Sequence, residues 1–227
     1  MSLTIKICGL STSETLDAAL QAGADMVGFV FFPPSPRHVA LDMAEKLGRQ
    51  ARGRAVKVAL SVDADDALLA NSIEALRPQI LQLHGKESVA RIRDIKQTFG
   101  LPVMKAIAVE TKADLAALPG YAAVCDRILF DAKPPKDATR PGGLGAAFDW
   151  HLLEGLDLKL PFMVSGGLNA ENVSDAVRIT RAGGVDISSG VESAPGIKDS
   201  DMIRAFIRAA RNAELSLPLP ASAGRGS

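Results

Sequence analysis

Short apolar or β-branched runs alternate with longer amphipathic stretches from the N-terminus to about Arg211. The apolar runs predict strands near 4–8, 26–32, 56–62, 79–84, 102–108, 127–131, 161–165 and 185–189. Capping residues and helical spacing between them predict helices over Ser13–Ala22, Leu41–Gln50, Asp65–Leu76, Ser88–Phe99, Lys112–Leu118, Phe148–Leu153, Ala170–Thr180 and Asp199–Ala213. No Pro/Gly/Ser-rich linker divides these eight β-then-α units. Parallel strands need crossover helices, and closing the sheet removes its edges, so the pattern predicts a single-domain α/β protein, a (β/α)8 TIM barrel over residues 1–213. A doubly wound open sheet shares the local pattern, but the count of units and the lack of an edge strand argue against it. Beyond Glu214 the proline-punctuated stretch Leu215-Ser216-Leu217-Pro218-Leu219-Pro220 and the small residues after it have no helical period. Residues 214–227 are therefore expected to be a poorly ordered, dispensable tail.

Composition narrows the function classes. The chain has 227 residues, with 26 basic and 26 acidic side chains and no Lys/Arg block, so it lacks the electrostatic footprint of a nucleic-acid binder. No apolar run approaches the roughly 18 residues of a membrane span, and the first residues are not a leader, which makes the cytoplasm the expected compartment. Cys8 and Cys125 are the only cysteines, far apart and outside any Cys/His spacing; neither a disulfide framework nor a metal site is expected.

Chemistry is expected where strands end. Cys8 closes the run Thr4-Ile5-Lys6-Ile7-Cys8 before Gly9, and Asp131 closes Ile128-Leu129-Phe130-Asp131 before Lys133-Pro134-Pro135. A thiol and an acid on two strand ends suggest proton transfer. A free cysteine is also often just a small buried hydrophobe, and Asp63 and Asp65 likewise follow a strand, so strand-end position does not by itself separate the three acids. Lys6 alternates with Ile5 and Ile7 and points with Cys8; a buried cation beside a thiol would favour the thiolate. Gln82 and His84 share one face of Leu81-Gln82-Leu83-His84, where His84 is open to three readings: base, hydroxyl contact or structural group. Three prolines stiffen Phe32-Pro33-Pro34-Ser35-Pro36-Arg37, leaving Arg37 either a fork for a substrate carboxylate or a solvated or salt-bridged surface residue. Ser165-Gly166-Gly167-Leu168 and Ser188-Ser189-Gly190-Val191 follow the last two strands, the usual barrel position for a phosphate, although each alone reads as an ordinary turn. Pro141-Gly142-Gly143-Leu144-Gly145 has the character of a lid over the same anion.

In their order along the chain, Lys6-Ile7-Cys8-Gly9, Gly28-Phe29-Val30-Phe31, Ser35-Pro36-Arg37, Gln82-Leu83-His84-Gly85, Phe130-Asp131, Phe148-Asp149-Trp150, Ser165-Gly166-Gly167-Leu168 and Val185-Asp186-Ile187-Ser188-Ser189-Gly190-Val191-Glu192 resemble the phosphoribosylanthranilate isomerase family of tryptophan biosynthesis. The likeness spans the chain to about Arg211. It implies an Amadori rearrangement of N-(5-phosphoribosyl)anthranilate, with Cys8 as general base, Asp131 as general acid and Arg37 on the anthranilate carboxylate. Phosphate contacts are implied for Gly143, Gly145, Ser165, Gly166, Gly167, Ser188, Ser189 and Gly190, with Lys6, Gln82 and His84 as further substrate-binding residues. No cofactor and no metal are implied, the partner is a small phosphorylated substrate, and a monomer or a homodimer are both compatible. One departure is visible: the family's usual Gly-Gly-Thr-Gly reads Gly142-Gly143-Leu144-Gly145 here, without the hydroxyl. Two rivals are weaker. A histidine-pathway isomerase would carry a carboxylate at the strand-1 position and must hold two phosphates, and a non-catalytic phosphometabolite-binding barrel would have no need of Cys8 and Asp131 together.

Overall fold

The computed structural model describes residues 2–133, 142 and 147–215, so the expectations for Gly143, Gly145, Leu144 and residues 216–227 lie outside the described residues. Eight strands, β1 (Thr4–Cys8), β2 (Met26–Phe31), β3 (Val56–Ser61), β4 (Ile80–Leu83), β5 (Val103–Val109), β6 (Arg127–Ala132), β7 (Phe162–Val164) and β8 (Gly184–Ile187), pair in sequence order and close into a barrel. Parallel pairing of β1 with β8, in which Thr4 faces Gly184 and Ile7 faces Ile187, completes the ring.

The helices α1 (Ser13–Ala22), α2 (Leu41–Gln50), α3 (Asp66–Leu76), α4 (Val89–Phe99), α5 (Leu118–Ala122), α6 (Val173–Thr180) and α7 (Ser200–Leu215) lie on the outside of this ring. Several start where the chain supplies a cap: Thr12, Asp65 and Ser88 accept hydrogen bonds from the amides of Thr15, Leu68 and Arg91, satisfying donors that the first helical turn leaves open. A two-stranded hairpin, β9 (Glu192–Ala194) with β10 (Ile197–Lys198), follows β8 outside the barrel.

Three expectations need correction. Lys112–Ala117 is a 3-10 turn that passes into the short α5. Pro119 has no N–H to give the Leu115 carbonyl, which instead accepts from the amide of Leu118. In the sixth unit Phe148–Leu153 contributes only a 3-10 turn at Trp150–Leu153, because the few residues between its Asp149 cap and Gly155 give too little chain to nucleate an α-helix. At the C-terminus α7 runs on through Leu215, so residues 214 and 215 belong to the barrel's last helix rather than to the tail.

Strand alternation sorts the core into two compartments. Ile5, Ile7, Val27, Phe29, Leu81, Leu83, Ile128 and Phe130 point outward and pack with the helices. Met26, Val58, Ile80, Met104, Leu129 and Met163 point inward and fill the lower barrel, as the side-chain layers of such barrels do. Above them the same inward parity brings polar groups to the C-terminal mouth. No helix among the described residues is long and apolar enough to cross a membrane.

Candidate active site

The C-terminal mouth holds a cleft. Its lining includes Cys8 from β1, Arg37 from the β2–α2 loop, Gln82 and His84 from the end of β4, Asp131 from β6, Gly142, Ser165 with Gly166 and Gly167 after β7, and Ser188, Ser189 and Gly190 after β8. The apolar walls are Val30, Phe32, Leu60, Val62 and Leu168. Of the residues the family resemblance implies for this site, all but Lys6 and those outside the described residues line it, whereas the rival acids Asp63 and Asp65 do not: Asp63 accepts from the Lys86 amide and Asp65 caps α3.

Lys6 lies beneath the cleft. It is fully buried, and its Nζ donates to Asp186 Oδ1 at 2.9 Å, the two residues being register partners across the β1–β8 seam. Burial works against the Lys6 charge, but Asp186 and Cys8 outweigh it and hold the ammonium above its ordinary value. The expected help to the thiolate is present but outweighed: burial pushes the Cys8 thiol up, Lys6 draws it down, and Asp186 adds a smaller push up. Lys6 does favour the thiolate, more strongly than Asp186 opposes it, but the cost of burying the charged sulfur exceeds that help. Gly28, register partner of Cys8 on β2, makes room for both groups. A Cβ there would come within 2.9 Å of Cys8 Sγ and 3.1 Å of Lys6 Cε.

Asp131 is 5 % exposed. Its Oδ1 accepts from the Ala132 amide at 2.9 Å, and its Oδ2 lies 3.1 Å from His84 Nε2. His84 Nδ1 is in turn 3.1 Å from Gln82 Nε2. Strand alternation on β4 puts Gln82 and His84 on one inward face, and the β4-to-β6 span joins them to Asp131. Gly142 sits directly over this pair, its Cβ position 2.8 Å from Asp131 Oδ2. Lys133, two residues on, is directed away to Asp114 at 3.0 Å and Glu110 at 3.5 Å.

Arg37 is neither a solvated surface residue nor a simple projecting fork. It is 4 % exposed, and its Nε and Nη2 each donate to a Glu192 carboxylate oxygen at 2.7 Å. Glu192 also accepts from Lys198 Nζ at 2.6 Å and from the Gly196 amide at 3.1 Å. Burial opposes the Glu192 charge, yet Arg37 and Lys198 hold its carboxyl below the usual range. Lys198 donates further to the carbonyl and hydroxyl oxygens of Ser188, at 2.9 and 3.1 Å, and the Ser188 hydroxyl donates to the Cys8 carbonyl at 3.2 Å. After β7, Gly166 and Gly167 take left-handed φ of 81° and 63°, a conformation that glycine adopts without Cβ strain. The amides of Gly166, Gly167, Ser189 and Gly190 find no acceptor among the described residues.

A profile of the family described as N-(5'phosphoribosyl)anthranilate (PRA) isomerase matches residues 5–209. The chain is 76 % identical over 214 residues to the N-(5'-phosphoribosyl)anthranilate isomerase of Bradyrhizobium sp. (strain ORS 278), covering 94 % of this chain and 98 % of that one. The chain belongs to the N-(5'-phosphoribosyl)anthranilate isomerase family. Its relative from Nitrobacter hamburgensis is 74 % identical over 217 residues, 96 % of each chain. Among solved structures, the phosphoribosyl anthranilate isomerase of Thermotoga maritima superposes with a TM-score of 0.84 at 34 % identity, over 92 % of this chain and 99 % of that one. Another isomerase of the family, solved in complex with reduced 1-(o-carboxyphenylamino)-1-deoxyribulose 5-phosphate, gives 0.80 at 31 % identity, with 92 % and 99 % coverage.

Within this isomerase fold three charged residues escape a reading by strand ends and motifs alone. Asp186 sits in an apolar strand directly across from Lys6, and a carboxylate in such a run is the signal that would have paired them. Glu192 closes a quoted motif but gives no hint of Arg37, 155 residues away. Lys198 carries no local signal at all.

Proposed function

We propose that this isomerase-family chain converts N-(5'-phosphoribosyl)anthranilate into 1-(2-carboxyphenylamino)-1-deoxyribulose 5-phosphate, within tryptophan biosynthesis, with Asp131 as general acid and Cys8 as general base. The observation that carries the reading is the presence of these two groups in one cleft, on strands three places apart around the barrel. Acid and base must flank the sugar. Asp131 gives its proton to the furanose ring oxygen as the C1–O bond breaks, leaving an iminium at C1. The Cys8 thiolate then takes the C2 proton, and the C2–H electrons neutralise the iminium to an enolamine. Tautomerisation moves a proton from the C2 hydroxyl to C1 and yields the ketone, so hydrogen and electrons balance without an external oxidant. A thiol raised by burial suits this order, because the new positive charge at C1 favours the thiolate at the step that needs it.

Arg37 fits the anthranilate carboxylate, and the glycine loops after β7 and β8 fit the phosphate, whose oxygens accept from backbone amides. His84, 3.1 Å from Asp131 Oδ2, orients the acid, with Gln82 behind it. We place the chain in the cytoplasm, where a charged phosphoribosyl substrate is made and retained. The test is turnover by the purified protein, followed through the fluorescence of the anthranilate ring; conversion no faster than in buffer overturns the proposal.

Gly28→Ala is expected to lower kcat by about 10²-fold, because a methyl placed against the sulfur shifts the base by a fraction of an ångström to an ångström. Binding of a product analogue should change little. A kcat within a few-fold of wild type in the folded variant would mean that Gly28 does not set the thiol's position.

A further inference from the structure

The Arg37 site has a charge problem. A guanidinium that donates two N–H groups to Glu192 is already matched, and a second carboxylate brought to it would make the group of three net negative. In a buried setting that sum opposes binding, since water is not there to screen it. The pair is buried, its side chains 4 % and 3 % exposed. A third charge lies in the same cluster: Lys198 Nζ, 2.6 Å from Glu192 Oε1, with its side chain wholly buried. Arg37, Glu192 and Lys198 together carry one net positive charge.

We propose that Lys198 supplies the net positive charge that lets Arg37 accept the substrate's carboxylate, making it a specificity-determining residue that acts through Glu192. The inference rests on the reading that Arg37 binds that carboxylate. Lys198 is a positioning residue: it lies on the hairpin strand β10 and reaches the site from outside the barrel. Gly196, at the hairpin turn, packs against the Pro36 carbonyl, 2.6 Å from where its Cβ would stand, so the hairpin lies directly against the Arg37 loop. The same ammonium holds both Ser188 oxygens, which ties the carboxylate site to the strand end beside Cys8.

The charge is conditional on pH. The charged or titratable groups around the ammonium are Glu192 on β9, Arg37 in the β2–α2 loop and Cys8 on β1, with the Lys6–Asp186 pair beneath Cys8. Asp199, next in sequence, spends Oδ1 on the Asp201 and Met202 amides. Burial lowers the Lys198 amine and Arg37 lowers it further, Glu192 and Cys8 oppose them, and the result is about 8. Below that pH the cluster is net positive; above it the lysine loses its proton and the cluster becomes neutral.

The experiment compares two ligands across pH 6.5–9.5: reduced 1-(o-carboxyphenylamino)-1-deoxyribulose 5-phosphate and its counterpart lacking the carboxyl group. The ratio of their Kd values isolates the carboxylate, because both carry the same phosphate. In wild type the preference for the carboxylated ligand should be constant below pH 7 and fall about tenfold by pH 9, where a tenth of the molecules keep the charge. Lys198→Arg should hold the preference flat through pH 9, since arginine keeps its proton. Lys198→Met, checked by circular dichroism, should lose it at every pH. A flat wild-type ratio, or a wild-type preference in folded Lys198→Met, overturns the inference. Arg37→Ala separates the two claims. If it abolishes the preference while Lys198→Met keeps it, only the role of Lys198 fails; if it leaves the preference intact, the reading of Arg37 fails as well.

Discussion

In Cys8→Ala, turnover falls by about 10² to 10⁴-fold, the usual contribution of a positioned general base, while the barrel stays folded. The loss is chemical because the packing change is small. Cys8 touches a minor cluster with Val30 and Leu60 at the top of the barrel interior, and removing one sulfur leaves the lower apolar layer of Met26, Val58, Ile80, Met104, Leu129 and Met163 untouched. The Lys6–Asp186 pair below it remains intact, which matters because breaking a buried pair by deleting one member costs about 3–5 kcal/mol. Thermal melting and binding of the product analogue should therefore stay near wild type. A folded variant that turns over at nearly the wild-type kcat would remove Cys8 from the mechanism and leave it a buried hydrophobe.

Asp131→Asn is expected to produce a loss of the same order, with ring opening becoming the slow step and substrate affinity nearly unchanged. Asparagine keeps the shape and can still accept from the Ala132 amide and meet His84, the two contacts that hold Asp131 in place. It lacks an acidic proton for the ring oxygen, so the substitution tests proton donation rather than packing. The competing idea, that Asp131 braces its loop through Lys133, has no contact behind it, since Lys133 pairs with Asp114 and Glu110 instead. The measurement is kcat/KM across pH in both proteins. Activity within a few-fold of wild type, with an unchanged pH profile, would rule Asp131 out as the acid.

Strand periodicity carried the reading a long way, and its limits have a physical cause. Alternation within one strand states which residues share a face, so Cys8 with Lys6, and Gln82 with His84, were legible from local sequence. Strand ends placed Cys8 and Asp131 at the same mouth once eight units were counted. Charge balance was not legible, because it depends on partners brought together by closure: Lys6 meets Asp186 across 180 residues, and Arg37 meets Glu192 across 155. The lysine read as a promoter of the thiolate is also one member of an ion pair, and its help is outweighed by the burial of the sulfur; the arginine read as a fork is already engaged by Glu192. The shortened crossover helices failed for a different reason. Apolar spacing over Lys112–Leu118 looks helical, but a single missing amide at Pro119 redirects the hydrogen bond that decides α from 3-10.

The pairing of β1 with β8 also bears on how the protein is made. During synthesis from the N-terminus, β1 leaves the ribosome long before its partner β8 exists, and until then the growing sheet has two open edges. Lys6 waits through that interval without its carboxylate, in a chain whose slowest contacts are its most distant ones. Cys8, the base we propose, thus meets the Lys6–Asp186 pair only when the last strand docks. A nascent or truncated chain that stops short of Gly184 carries the thiol of Cys8 with neither the Asp186 partner for Lys6 nor the loops that follow β8.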